Sequence, residues 1–313
     1  MHFFNFFNSG ETFMTTKLLT CVPALLAGLL ATLSMTGHAT EGGGSLYPNG
    51  ADNFSAGAMP PPGFYGMLFA NHYSADRVND ANGNNLNVPG FKVTANAVVP
   101  RFIWVTGAKF LGGDLSLHAL LPVVDLKVSA AGNSQRKSGI GDLTTGPGLG
   151  YHHSPNLHSL LGLDFYLPTG GYNKGDLANI GRNYYAVEPL YILSYIDPQG
   201  FNGDIKMGYL FNQRNKDTDY RSGQEFHFDY AAGWGLGNGL TAGVGGYYYQ
   251  QTTTDRQAGV DLANSKAKAF AIGPSLKYDS GKGWFATVKW QKEMKSENRV
   301  QGNALWVKAV FPL

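Results

Sequence analysis

Residues 305–313 close the chain as LWVKAVFPL, and the fold turns on how they alternate. Leu305, Val307, Ala309, Phe311 and Leu313 share one face of an extended segment, while Trp306, Lys308 and Val310 share the other. Successive strand side chains point to opposite sides, so this is a strand with one oily face. The same two-residue period recurs upstream. Leu161, Leu163, Phe165 and Leu167 interleave with Gly162, Asp164 and Tyr166; Ile205, Met207, Tyr209 and Phe211 with Asp204, Lys206 and Gly208; Phe226, Phe228 and Tyr230 with Glu225, His227 and Asp229. In a soluble sandwich the apolar face would be a core. In a membrane barrel it meets lipid and the polar face encloses the lumen.

Turn spacing favours the barrel. Candidate strands lie near 64–74, 90–105, 114–128, 140–153, 158–170, 183–197, 202–212, 222–235, 239–251, 266–278, 283–294 and 302–313. Connections at Ser154-Pro155-Asn156, Asp197-Pro198-Gln199-Gly200, Leu236-Gly237-Asn238-Gly239 and 279–283 are short and turn-like. Those near 75–89, 129–138, 171–182, 213–221 and 252–265 are longer and polar, and 106–113 is shortened if Leu111-Gly112-Gly113 extends a strand. Outer-membrane barrels show this alternation of short periplasmic turns and longer external loops. The expected fold is therefore all-β: a transmembrane, antiparallel, up-and-down barrel of about 12 strands over residues 63–313. Closure is required, because hydrocarbon leaves no backbone group a partner outside the chain. Tyr195, Tyr278, Trp284 and Phe311 are expected in a periplasmic girdle, and Tyr73, Phe91, Tyr172, Tyr185 and Tyr220 in an external one.

Composition agrees. Of 313 residues, 15% are charged and 13% aromatic, with 42 glycines and a net charge of +2. A charge-rich disordered chain is excluded, and nucleic-acid binding has no electrostatic support. Residues 14–39 have a basic start at Lys17, an apolar stretch from Leu18 to Leu33 and a small-residue site ending at Ala39, so residues 1–39 read as a secretory signal peptide, with Met14 a candidate true start. The single cysteine, Cys21, belongs to that leader, which leaves no thiol for disulfides or metals. No later run of 18 apolar residues could span a bilayer as a helix. Residues 40–62 are Gly- and Pro-rich without a period; they are either a periplasmic tail or a lumen plug anchored by Tyr47 or Phe54.

These features resemble a known family. Glu41-Gly42-Gly43-Gly44-Ser45-Leu46-Tyr47, Gly50, Pro60-Pro61-Pro62-Gly63, Gly139-Ile140-Gly141-Asp142-Leu143 and Gly146-Pro147 are similar to the family named for the meta pathway of phenol degradation. Tyr166-Leu167-Pro168-Thr169-Gly170, Asn179-Ile180-Gly181-Arg182-Asn183-Tyr184, Ser222-Gly223-Gln224-Glu225, Gly273-Pro274 and Phe311-Pro312-Leu313 continue the likeness across the mature chain. The resemblance implies a barrel in the outer membrane of a Gram-negative bacterium, encoded with aromatic-degradation genes and passing hydrophobic substrates. Alternation ending on Phe311 and Leu313 also resembles the signal read by the outer-membrane assembly machinery, although the usual last residue is Phe.

Enzymatic readings find little support. No HExxH or GxSxG motif occurs, and the Asp-Ser-Asn-His-Gly-type stretch of outer-membrane phospholipases is missing. His152 and His158 could pair across a turn, but that turn reads as solvated. No cofactor is implied. Parity instead assigns a solute path to Asp142, Gly146, Gly148, Asp164, Tyr166, Tyr184, Glu188, Glu225, Tyr247, Tyr249, Phe285, Lys289 and Trp306. Lys92, Asp114, Asp204, Lys206, Asp229, Glu293 and Lys308 are also expected inside, with Gly150, Gly243 and Gly245 leaving room beside the rings. Aromatic faces beside small residues suit a small hydrophobic or aromatic solute, with outer-membrane lipid around the barrel. A structural or adhesive barrel and a general diffusion porin are the alternatives.

Overall fold

The computed structural model describes residues 41–313, so the expected signal peptide lies outside the described residues. The described chain starts with a short 3-10 turn, Glu41–Gly43, and then alternates strands and turns: β1 (Gly63–Val78), β2 (Lys92–Phe110), β3 (Gly113–Leu120), β4 (Val123–Ala130), β5 (Asn133–Ile140), β6 (Leu143–His152), β7 (Leu157–Leu167), β8 (Ala186–Tyr195), β9 (Phe201–Asn212), β10 (Tyr220–Arg221), β11 (Glu225–Gly235), β12 (Leu240–Gln251), β13 (Arg256–Gln257), β14 (Val260–Asp261), β15 (Lys268–Asp279), β16 (Phe285–Glu297) and β17 (Val300–Pro312).

The wall is a closed antiparallel barrel of 12 strands, ordered β1-β17-β16-β15-β12-β11-β9-β8-β7-β6-β3-β2 and sealed by the pairing of β1 with β2. The terminal strand joins the first from Tyr65↔Pro312 to Val78↔Val300, with one bulge between Ala75 and Arg77. Every edge is thereby paired, as hydrocarbon demands.

Strands β4 and β5 are not separate staves. They continue β3 and β6 beyond the wall as a hairpin that pairs only with the outer part of β2. The connection expected at 129–138 is thus strand, closed by a two-residue turn at Ala131-Gly132. Both turn residues have left-handed φ, +49° and +82°, the geometry whose twist suits a tight hairpin. The same device at Leu111-Gly112, +49° and +79°, shortens the periplasmic turn after β2. Outside the wall, β10, β13 and β14 form a small sheet that ties two external loops together.

Burial inverts the usual globular pattern. Phe102 is 62% exposed and Trp234 57%, whereas Glu188 and Glu225 are 0% exposed. Large apolar side chains point out from every part of the wall, including Leu117, Leu161, Phe211, Leu276, Trp290 and Val307. Each would gain roughly 1.5–3 kcal/mol from leaving water for lipid. A Lys or Arg in their place at mid-depth would cost about 2–4 kcal/mol. The alternation thus fixes which side faces the bilayer.

Three expectations need correction. Lys92 is not in the lumen: it shares the outward parity of Asn96, Val98 and Phe102, and it lines an exposed polar groove with Asp125, Lys127 and Arg136. The strand leading into β8 begins at Ala186, so Tyr184 sits in the preceding loop. Tyr73, Tyr172 and Tyr220 do not join a lipid girdle, because their hydroxyls donate to the carboxylates of Glu293, Glu41 and Asp255. Tyr73 shares the inward parity of Phe69 and Ala75 on β1, and the other two stand in external loops beyond the wall.

Candidate functional site in the lumen

The inward positions of the strands hold an unusual density of ionisable side chains. Asp164, Glu188, Asp204, Lys206, Glu225, His227, Asp229, Lys289, Glu293 and Lys308 are all buried. Buried charge is tolerable only when it is paired and hydrogen-bonded. Part of the pairing runs across the wall. His118 Nε2 lies 2.8 Å from Asp164 Oδ1, and Tyr166 donates to Glu188. Glu293 accepts from Tyr247, from Tyr73 at 2.9 Å and from the Gly302 amide at 2.5 Å. Arg299 lies 4.6 Å above the Tyr249 ring, and Lys277 and Lys308 lie 5.1 and 5.8 Å from the Phe285 centroid. Trp306 meets Phe69 edge-on at 6.5 Å.

The rest of the pairing comes from residues 41–62, which thread through the lumen. Glu41 lies among external loops: its carboxylate accepts from Tyr172 at 3.1 Å and from Asn215 at 2.9 Å, and its amide donates to Ser222. Ser45 donates to Glu225. Asp229 accepts three times, from Tyr47 Oη at 2.6 Å and from the amides of Gly50 and Asp52 at 2.8 Å each. Asp204 accepts the amides of Ser55 and Ala56 at 2.9 Å, and Gly57 donates to Ser194 at 2.8 Å. The segment then reaches Pro61, whose carbonyl accepts from Tyr65 at the start of β1.

Asp52 centres this arrangement. Its carboxylate lies 3.0 Å from Lys206 Nζ and 3.5 Å from Lys308 Nζ, and its carbonyl accepts from Lys289 at 2.6 Å. A narrow gap beside the segment, lined by Asp52, Asn53, Asp204, Lys206 and Asp229 among others, is too tight for a water molecule.

The sequence-predicted site residues divide into groups. Asp164, Tyr166, Glu188, Glu225, Tyr247, Tyr249, Phe285, Lys289 and Trp306 lie on the inward side, in the contacts just described. Asp142 stands at the external end of this face. It accepts the amides of Gly170 and Arg182 at 2.9 and 2.7 Å, fixing the loop between β7 and β8. Tyr184 is buried in that loop. The glycines do not leave free room. A Cβ on Gly150 would strike Met59 at 2.7 Å, and one on Gly233 would meet Phe54 at 2.8 Å. At Gly146 it would lie 1.9 Å from the Leu163 carbonyl oxygen, so the absence of a side chain serves the close approach of the neighbouring strand β7. Gly148 is milder, at 3.0 Å from the Ser116 hydroxyl.

Parity missed Asp52, Asn53 and Ser55, because the inner segment has no period to read. The available signal was their polarity in a segment leading directly into a strand. Among the described residues no group of three or more His, Cys, Asp or Glu is arranged for a metal; His152 and His158 meet Nδ1 to Nδ1 at 2.8 Å.

Comparison with known proteins places this geometry. A family described as "Putative MetA-pathway of phenol degradation" matches residues 75–309. The crystal structure of the COG4313 outer membrane channel from Pseudomonas putida F1 superposes with a TM-score of 0.72 at 18% identity, covering 84% of this chain and 99% of that one. A looser likeness, TM-score 0.42 at 9% identity, is to the CymD monoaromatic hydrocarbon channel, over 89% of this chain and 97% of that one. The NanC porin gives 0.41 at 10% identity, over 79% and 100%. No curated protein sequence matches the chain.

Proposed function

The chain belongs to the MetA-pathway of phenol degradation family, and from that premise we propose an outer-membrane channel for passive uptake of small hydrophobic or aromatic compounds, closed at rest by residues 41–62. The fold likeness to an outer-membrane channel supports a conduit, and the barrel suits the outer membrane of a Gram-negative bacterium.

One observation carries the reading. The inner segment has no strand pairing with the wall; wall side chains hold it, chiefly Asp229, Asp204 and Lys206. It can shift without breaking any barrel ladder hydrogen bond, and its movement would uncover the rings of Tyr166, packed beside Leu46, and Trp306, packed beside Ala51. Those rings give an aromatic solute faces to slide past, and the paired charges keep water and small ions from crossing freely. The role is non-catalytic and needs no energy source, because a solute moves down its own gradient.

Planar-bilayer recording tests this. Protein lacking residues 41–58 is expected to conduct more than wild type, and phenol-sized aromatics are expected to reduce its ion current. Unchanged conductance would remove the plug. A large current indifferent to aromatic solutes would replace selective uptake with a general pore. For the C-terminal strand, we propose recognition by the assembly machinery; deleting Phe311-Pro312-Leu313 should lower the folded yield in outer-membrane fractions.

A further inference from the structure

The side chain of Tyr47 is itself a para-substituted phenol, and the lumen holds it as a ligand would be held. Its ring stacks on the His227 imidazole with centroids 4.0 Å apart and planes 14° from parallel. The Lys206 ammonium lies 4.5 Å from the same ring centroid. Its hydroxyl donates to Asp229 Oδ2 at 2.6 Å. The ring face is thus met by His227 and Lys206, and the polar tip by Asp229. His227 is fully buried, yet neither ring nitrogen has a well-directed hydrogen bond; Nε2 lies 3.0 Å from Glu188 Oε1 but is poorly aligned with it. A histidine so placed contributes a flat face to the ring above it.

We infer that His227, Asp229 and Lys206 form a binding slot for a phenolic solute, and that Tyr47 is its tethered resting occupant. A phenol competing for the slot would displace Tyr47 and, with it, the adjoining amides of Gly50 and Asp52 that share the Asp229 carboxylate. Solute binding and release of the segment are then one exchange, and the channel opens most readily to what it carries. The inference deepens the channel reading and depends on it for its purpose; the slot itself can be tested separately.

The first experiment uses the full-length Tyr47→Ala protein in detergent, checked by heat-modifiable migration, with phenol and benzene as probes in equilibrium dialysis. Removing the side chain beyond Cβ leaves a space the size of phenol. Phenol is expected to bind with a Kd of about 1 mM or tighter, within the reach of so small a ligand. Benzene is expected to bind at least about tenfold more weakly, because it offers the buried Asp229 carboxylate no hydroxyl in place of the Tyr47 one. Wild type, with Tyr47 in place, should bind phenol at least about tenfold more weakly than the variant. Adding Asp229→Ala should abolish the preference for phenol over benzene. In wild type, phenol but not benzene should speed hydrogen exchange at the Gly50 and Asp52 amides.

No phenol binding by Tyr47→Ala, or equal binding of phenol and benzene, overturns the slot, as does phenol without effect on those wild-type amides. The channel reading fails on a different measurement. If protein lacking residues 41–58 does not conduct while Tyr47→Ala still selects phenol, the slot stands and the channel falls; the reverse pair of results does the opposite.

Discussion

Replacing Asp229 with alanine should unseat the inner segment and leave the barrel intact. The carboxylate accepts from one hydroxyl and two amides of residues 41–62, at 2.6, 2.8 and 2.8 Å. Hydrogen bonds to a charged acceptor contribute about 1.5–3 kcal/mol each, and the amides would be left buried without a partner. The three bonds share one acceptor and water will follow into the vacated space, so the contributions do not add. A net loss of about 3 kcal/mol is a conservative figure, equal to a shift of roughly 150-fold towards the unseated state. The backbone of Asp229 remains paired to Lys206 on β9 and Tyr247 on β12, so the wall loses no ladder bond. Single-channel recording should show open probability rising by up to about two orders of magnitude, towards the level of protein lacking residues 41–58. Heat-modifiable migration should stay as in wild type. If Asp229→Ala stays closed while the deletion conducts, the segment is held elsewhere and the reasoning is refuted.

Further outcomes follow from the same contacts. Gly150→Val places a side chain where Met59 sits, at 2.7 Å for the Cβ alone, and should raise resting conductance, whereas the same change at the exposed Gly171, with open space around it, should not. Val307→Lys puts a cation on the lipid face of β17 and should lower unfolding stability in lipid vesicles by about 2–4 kcal/mol; a denaturant titration showing no change would contradict the outward assignment. Asp176, in the loop between β7 and β8, is held at a pKa of about 2 by hydrogen bonds from Lys137, Gln135 and Asn173. Because the folded value lies below the unfolded one, its docking contribution is complete above about pH 4 and disappears as pH falls through about 2. Hydrogen exchange at the Ala178 amide, which donates to Gln135, should therefore be faster in Asp176→Asn than in wild type at pH 5, and the difference should vanish as pH falls through about 2.

The recorded contacts also explain why the two halves of the sequence differed in how readable they were. Strand parity placed Asp164, Tyr166, Glu188, Glu225, Tyr247, Tyr249, Lys289 and Trp306 inside because alternation is a property of the extended backbone itself, independent of partners. It failed for Lys92, where the polar face continues outward above the oily belt on the β4–β5 hairpin and so no longer means lumen. It also failed at 129–138, where Asn, Ser, Gln, Arg and Lys look like a loop but pair as strand outside the bilayer, with no demand for oily side chains on either face.

By itself, the amino-acid order determined the staves, the side each presents to lipid and the closure of the wall, because a two-residue period and the cost of an unpaired amide in hydrocarbon act locally on every strand. Only the tertiary structure decided what fills the bore. Residues 41–62 have no period; their position depends on carboxylates and ammonium groups from β9, β11, β16 and β17 converging on Asp52, Tyr47 and four backbone amides, and such convergence exists only once the strands have closed around them.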